Sequence, residues 1–138
     1  MFIRSAFALF LITAVAPAFA QAVQAKKSTV TAAMPAPDDR ARQWLVLVDD
    51  RNYAQSWTDA SRGFQARQKT DAWAMQESAK REPLGAVASR DLKSIDLGKT
   101  NIAVIRYETV FAHKAQAVET VTLAFENGSW TVTGYSID

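Results

Sequence analysis

At Pro83-Leu84-Gly85 the spacing of apolar side chains changes from a helical period to a period of two, which divides the chain into a helical half and a strand half. Proline lacks the N–H that a helix interior needs, and glycine supplies the backbone freedom to turn away. Before this point Ala41, Trp44, Leu45 and Val48 recur at helical spacing behind Asp38 or Asp39, either of which serves as an N-cap. The polar run Asp49-Asp50-Arg51-Asn52 interrupts the pattern, and Tyr53, Trp57, Ala60 and Phe64 resume it as a second, shorter helix. A third helix starts from Thr70 as N-cap, with Asp71 in its first turn, carries Ala72, Trp73, Met75 and Ala79, and stops at Pro83.

After the switch, four segments read as strands: a charge-crowded one over 87–97, then 102–113, 118–125 and 130–137. The last two are joined by Asn127-Gly128, a strong two-residue hairpin signal. That turn sets Phe125 opposite Trp130, Leu123 opposite Val132, Val121 opposite Gly134 and Glu119 opposite Ser136. A loop at Ala115-Gln116-Ala117 would align Phe125 with Tyr107, Val121 with Phe111 and Glu119 with His113. A slip by one residue would put Arg106 and Glu108 in the core, so their charges select the face. The other face carries Arg106, Glu108, Thr120, Thr122, Thr131 and Thr133, as a solvated face should. The expected class is α+β, with the N-terminal helices packed on one face of an antiparallel sheet of about four strands.

The N-terminus carries a different signal. Arg4 precedes an apolar run over residues 6–16, Pro17 breaks it, and Ala18-Phe19-Ala20 supplies the small residues of a signal-peptidase site. The run is shorter than the ~20 apolar residues of a spanning helix. We therefore expect a signal peptide over residues 1–20 cleaved after Ala20, a flexible Ala/Gln/Lys/Ser/Thr/Pro tether over 21–37, and one domain over 38–138 in the periplasm or outside the cell. No stable membrane anchor is expected after cleavage. The whole chain has 16 basic and 14 acidic side chains, and Arg4 is the one charge in the leader, so the remainder stands at +1. Such a balance gives no basic footprint for nucleic acid and no polybasic membrane segment. With no cysteine, a domain in an oxidising compartment is held by its core alone.

A further set of residues runs through the domain in a familiar order: Trp44-Leu45, Asp49, Tyr53, Ser56-Trp57, Ala60-Ser61, Trp73, Arg81, Leu84-Gly85 and Arg90, then Tyr107, Thr109, Phe111, Lys114, Glu119, Val121-Thr122, Gly128-Ser129-Trp130 and Gly134-Tyr135. In these the chain resembles an exported bacterial family, the domain of unknown function 4019. The order of helices and strands also resembles the nuclear transport factor 2-like and cystatin-like superfamily, which implies a curved sheet wrapping a helix as a cone. The chain departs from the family pattern before the Tyr107 strand, where a longer loop is reduced to Leu97-Gly98-Lys99-Thr100-Asn101. The family has no assigned activity, so the resemblance carries over no catalytic residue.

Candidate chemistry comes from the expected register, which places His113, Glu119 and Ser136 side by side across three strands. A carboxylate that orients an imidazole, with a hydroxyl beside it, has the groups of a small hydrolase or isomerase. The plainer account is a hydrogen-bonded rim, and Ser136 has no strained Gly-x-Ser-x-Gly elbow around it. Tyr107 and Trp130, on the inward sheet face, are the aromatic candidates for a ligand wall. Arg81 and Arg90 are candidates for an anionic group or for carboxylate partners. The chain lacks P-loop, dinucleotide, HExxH and metal-spaced Cys/His motifs, so neither cofactor nor metal is expected. The leading functional expectation is a non-enzymatic exported domain that binds a small ligand or an envelope protein; an inhibitor or immunity protein for an envelope enzyme fits the same features.

Overall fold

The computed structural model describes residues 35–98 and 100–138. The expected leader, and nearly all of the expected tether, lie outside the described residues. Pro37 opens helix α1 (Pro37–Asp49), where its missing N–H costs nothing and its fixed φ suits the first turn. Asp38 and Asp39 do not cap it as expected; they lie within the first turn, where negative charge favours the exposed N–H groups. The stripe Ala41, Trp44, Leu45 and Val48 is fully buried.

The helix ends in a Schellman arrangement, with Asn52 N–H donating to Leu47 C=O at 2.8 Å and Arg51 N–H to Val48 C=O at 3.1 Å. Arg51 holds the left-handed position of this motif with φ +59°. Glycine is the usual occupant, because a Cβ there costs about 1–2 kcal/mol.

The expected second helix is two helices, α2 (Tyr53–Asp59) and α3 (Arg62–Arg67). Ala60 and Ser61 are extended between them. Ser61 explains the break: its hydroxyl caps α3 by accepting from Phe64 N–H at 3.1 Å, and its own N–H donates to Val132 C=O at 2.8 Å. A continuous helix would turn the Ser61 N–H to the Trp57 carbonyl and leave the Val132 carbonyl without its donor. Helix α4 (Thr70–Leu84) begins one residue earlier than expected, with Thr70 inside it, and Gly85 terminates it at φ +74°.

The strands β1 (Val87–Leu97), β2 (Ile102–Phe111), β3 (Lys114–Glu126) and β4 (Ser129–Ile137) form an antiparallel sheet in the order β1-β2-β3-β4. Its inner face buries Ala103, Ile105, Tyr107, Val121, Leu123 and Val132 against α1 and the shorter helices. Trp44 is the centre of this core. Its ring lies 6.4 Å from Phe64, 6.0 Å from Trp73 and 5.4 Å from Tyr135, measured between centroids. The buried indoles are satisfied: Trp44 donates to Ser56 C=O at 2.8 Å and Trp73 to the Ser56 hydroxyl at 3.0 Å.

Both sheet edges are protected from adding further strands. In β1 the register shifts between Val87 and Ser89 and between Leu92 and Ser94, bulges that bend the edge and place Lys93 on it. In β4 the free carbonyls are taken by the helices: Trp130 C=O by Arg40, Val132 C=O by Ser61 and Thr133 C=O by Arg67.

Two registers differ from expectation. The β2–β3 turn lies at Ala112-His113, pairing Glu119 with Tyr107 and Val121 with Ile105. The displacement is six residues, an even number, so the side chains that remain in β2 and β3 keep their predicted faces, while His113 leaves the strand for the turn. Neither turn residue has a positive φ or a turn-forming side chain; the segment is held instead by Ala112 N–H to Ala86 C=O at 2.8 Å and His113 N–H to Leu84 C=O at 2.9 Å. The β3–β4 pairing is as expected from the Asn127-Gly128 turn as far as Leu123–Val132, where a bulge adds one residue to β4. Beyond it Tyr135 opposes Val121 in place of Gly134, and Ile137 opposes Glu119 in place of Ser136.

Candidate functional site

That bulge matters because it turns Tyr135 into the core end where four charged side chains meet. Asp49 from the end of α1, Arg81 from α4, Arg90 from β1 and Glu119 from β3 form a closed ring of alternating charge. Arg90 is bidentate on Asp49 at 2.7 and 2.9 Å and donates to Glu119 Oε2 at 2.6 Å. Arg81 donates to Glu119 Oε1 at 2.9 Å and also to Asp49. Thr109 from β2 and Tyr135 from β4 complete the cluster with hydroxyl donors to Glu119 at 2.6 and 2.5 Å. Six elements each contribute one side chain.

Glu119 is fully buried and accepts four donors, two on each oxygen. A carboxylate in this condition has no lone pair directed at a substrate. Burial pulls the Arg90 guanidinium down, but its hydrogen bonds to Asp49 and Glu119 outweigh this and hold it above its ordinary value. Burial and the adjacent Glu119 charge push the Tyr135 phenol well above its ordinary range, so it stays a neutral donor. The Arg81 guanidinium also lies 5.1 Å from the Phe111 ring centroid. The ring is neutral in sum and ties both helices to all four strands.

The structure does not bring the expected triad together. His113 is exposed in the β2–β3 turn, packed near Gly85, where a Cβ would stand 2.9 Å from its Nδ1. Ser136 is exposed and pairs with Thr120, because the β4 bulge exchanges its face with that of Tyr135. Arg81 and Arg90 are partners of Asp49 and Glu119, not of the neighbouring Glu77, Glu82 and Asp91. Tyr107 is buried and donates to Asp38 at 2.5 Å, with the Arg42 guanidinium 5.2 Å from its ring centroid. Trp130 is half-buried, its ring 5.2 Å from Phe125, and borders a shallow 250 Å³ groove with Pro35 and Arg40.

Glu77 is a second buried carboxyl. It is fully inaccessible; Lys80 donates to one oxygen at 3.1 Å, and the other has no partner among the described residues. Burial raises its affinity for a proton above the ordinary glutamate value, against the lowering effect of Lys80. The folded state therefore gains stability from protonation, fully below the unfolded value of 4.5, and loses it as pH rises through the raised folded value. Glu77→Gln mimics the protonated form. Its melting temperature at pH 7 is expected to equal or exceed the parent's, with any gain vanishing in melts below pH 4.5.

Two larger depressions occur among the described residues. One, of about 490 Å³, lies on the outer sheet face beside the exposed Lys93–Glu108 pair and is lined by small and charged residues. The other, of about 440 Å³, opens where α1 ends and β1 begins; Asp49, Arg51, Tyr53, Arg81 and Gly85 line it. It adjoins the charge ring. Tyr53 is 8% exposed, and its hydroxyl has no hydrogen-bond partner among the described residues. This cleft, with buried polar groups at its wall, is the candidate site. Sequence reasoning passed over Arg51 and treated Tyr53 as ordinary core, because nothing local marks a helix-end arginine or a core tyrosine as facing a cleft.

Comparison with known proteins supports the fold. A Campylobacter jejuni chain of known crystal structure, described as an NTF2-like transpeptidase, superposes with a TM-score of 0.51 at 20% identity, covering 71% of this chain and 97% of that one. The architecture is thus NTF2-like. No curated protein matches the sequence. The family described as protein of unknown function, DUF4019, matches residues 40–135, nearly all of the described residues. The chain belongs to the DUF4019 family.

Proposed function

We propose that this chain is an exported cell-envelope protein whose domain binds a small ligand or an envelope partner without catalysing a reaction on it. The observation that carries the reading is the state of Glu119: the one carboxylate central to the inner face is saturated by Arg81, Arg90, Thr109 and Tyr135. A base or nucleophile needs an open valence directed at substrate, and a saturated carboxylate is an anchor. The hydrolase or isomerase alternative needed His113 against Glu119, and these two residues are apart. A transpeptidase, as the C. jejuni chain is described, needs an activated nucleophile; this chain has no cysteine, and Ser136 is exposed away from His113. The cleft beside the ring is lined by Tyr53, whose buried hydroxyl has no partner among the described residues and which a catalytic reading of Glu119 leaves unused.

Export is tested by expressing the full chain in a Gram-negative host, fractionating the cells and sequencing the N-terminus, with Gln21 expected first in the periplasmic fraction. An intact Met1 in the cytosol would refute it. Binding is tested by a thermal-shift screen of cell-envelope metabolites together with cross-linking in envelope extract. At a ligand concentration of 100 times Kd, linkage stabilises the fold by about 2.7 kcal/mol, a readily measured rise in Tm. Silence in both assays would reject the binding role.

A further inference from the structure

We infer that the cleft between the end of α1 and the start of β1 is a site for a small oxyanion, a carboxylate or phosphate group, held by Arg51 and Arg81 with the Tyr53 hydroxyl as a third donor. The inference rests on the binding role proposed above and assigns it a ligand chemistry. Its first support is the charge at the cleft wall. Asp49 is the one carboxylate lining the cleft, and both its oxygens are occupied, Oδ1 by Arg81 and Arg90 and Oδ2 by Arg90. Arg51 also lines the cleft, and no acidic or carbonyl group among the described residues pairs with its guanidinium. The cleft therefore presents one uncompensated positive charge.

The second support is the backbone of Arg51. A left-handed φ of +59° in a Schellman motif is where glycine, or asparagine, relieves strain, and the two other non-glycine residues with positive φ are both asparagines, Asn101 and Asn127. Arg51 is exposed and has no partner inside the fold, so its side chain does not repay the backbone strain of its position within the fold. A ligand that needs the guanidinium at that place accounts for it.

The third support is donor geometry. Arg81 uses Nη1 and Nη2 on Glu119, Tyr135 and Asp49, which immobilises its plane and leaves Nε–H unengaged. Two residues after Arg51, Tyr53 lines the same cleft; its hydroxyl is buried behind the wall with no hydrogen-bond partner among the described residues, so it reaches a ligand when the side chain shifts. Burial holds this phenol above its ordinary range, keeping the proton available for donation. A planar guanidinium fork matches a carboxylate or phosphate edge, and a neutral hydroxyl donor beside it matches a further oxygen. Cations are excluded by chemistry, since no free carboxylate oxygen lines the cleft.

The test uses the mature chain, residues 21–138, in amide-resolved NMR titrations with inorganic phosphate and with acetate at constant ionic strength, chloride serving as the control anion. The expected result is a saturable shift at Arg51 to Tyr53 and at Gly85 to Val87 for one or both oxyanions; the stronger of the two identifies the group. Arg51→Gly is expected to weaken that binding roughly tenfold or more, while its ligand-free Tm stays equal or rises because the strain is gone. Arg51→Lys keeps the charge without the fork and is expected to bind with intermediate strength, and Tyr53→Phe to bind severalfold more weakly. No saturable response to either anion, or an undiminished response in Arg51→Gly, overturns the oxyanion site. A neutral envelope compound that shifts the same amides in the absence of any oxyanion response overturns this inference alone and leaves the binding role standing.

Discussion

Glu119→Gln is expected to remove about 3–5 kcal/mol from the unfolding free energy, the range found when one partner of a buried ion pair is deleted and the other charge is left behind. The shape is almost unchanged, so the loss is electrostatic. With Glu119 neutral, Arg81 and Arg90 face only Asp49, and the amide presents donors of its own to groups that are themselves donors. Urea denaturation followed by circular dichroism measures it. A double variant, Glu119→Gln with Arg90→Met, is expected to lose less than the sum of its single variants, because removing one buried cation relieves the imbalance. Asp49→Asn is expected to cost less than Glu119→Gln, since the Asp49 side chain is 25% exposed and the Glu119 side chain is not exposed at all. A loss below about 1 kcal/mol for Glu119→Gln would place the ring in the regime of solvated surface pairs and reject its role as the anchor between helices and sheet.

Trp44→Ala is expected to cost about 3–5 kcal/mol as well, for a different reason. Trp44 is wholly buried and touches Phe64, Trp73 and Tyr135, so truncation opens a cavity that three rings cannot fill without leaving their rotamers. It also strips the Ser56 carbonyl of its indole donor. Trp44→Phe separates the two contributions: it keeps an aromatic ring but loses the donor, and is expected to fall between the parent and the alanine variant. Loss of less than 1 kcal/mol in Trp44→Ala, measured by urea melts followed by circular dichroism, would show that the site collapses around the smaller side chain.

The ring and the aromatic centre meet at Tyr135, whose face depends on one bulge. In the unbroken alternation of β4, Tyr135 lies on the solvated side and Gly134 and Ser136 on the core side. The extra residue after Val132 reverses this, and the Thr133 carbonyl it exposes is taken by Arg67. Expecting Ser136 beside Glu119 thus followed correctly from the hairpin turn and failed five residues on, because a bulge in a Thr-rich strand leaves no mark in the hydrophobic pattern. Expecting His113 beside Glu119 failed differently. Its turn contains no glycine, asparagine or proline; it is fixed by Leu84 and Ala86 carbonyls far away in sequence, which local turn chemistry cannot reveal.

The members of the ring were present in the sequence without being grouped. Asp49, Arg81, Arg90, Thr109, Glu119 and Tyr135 all belong to the residue order in which the chain resembles its family, where their polar character set them apart from the core positions around them. Reading that subset together as one polar cluster would have found the ring. Along the chain Arg81 and Arg90 lie nearest to Glu77, Glu82 and Asp91, and only the fold brings Asp49 and Glu119 to them.

By itself the sequence determined the α+β class, the helix stripe from Ala41 to Val48, the span of β1, the turn at Asn127-Gly128 and the faces of the β2 and β3 residues and of β4 as far as Val132. These follow from periodicity and from turn residues, which act over a few positions and fold the same way wherever they occur. Only the tertiary structure decided the β2–β3 register, the break at Ser61, the inward face of Tyr135 and the saturation of Glu119. Each of these is settled by a hydrogen bond or ion pair between elements distant in the chain, where a buried polar group must find its partner in space.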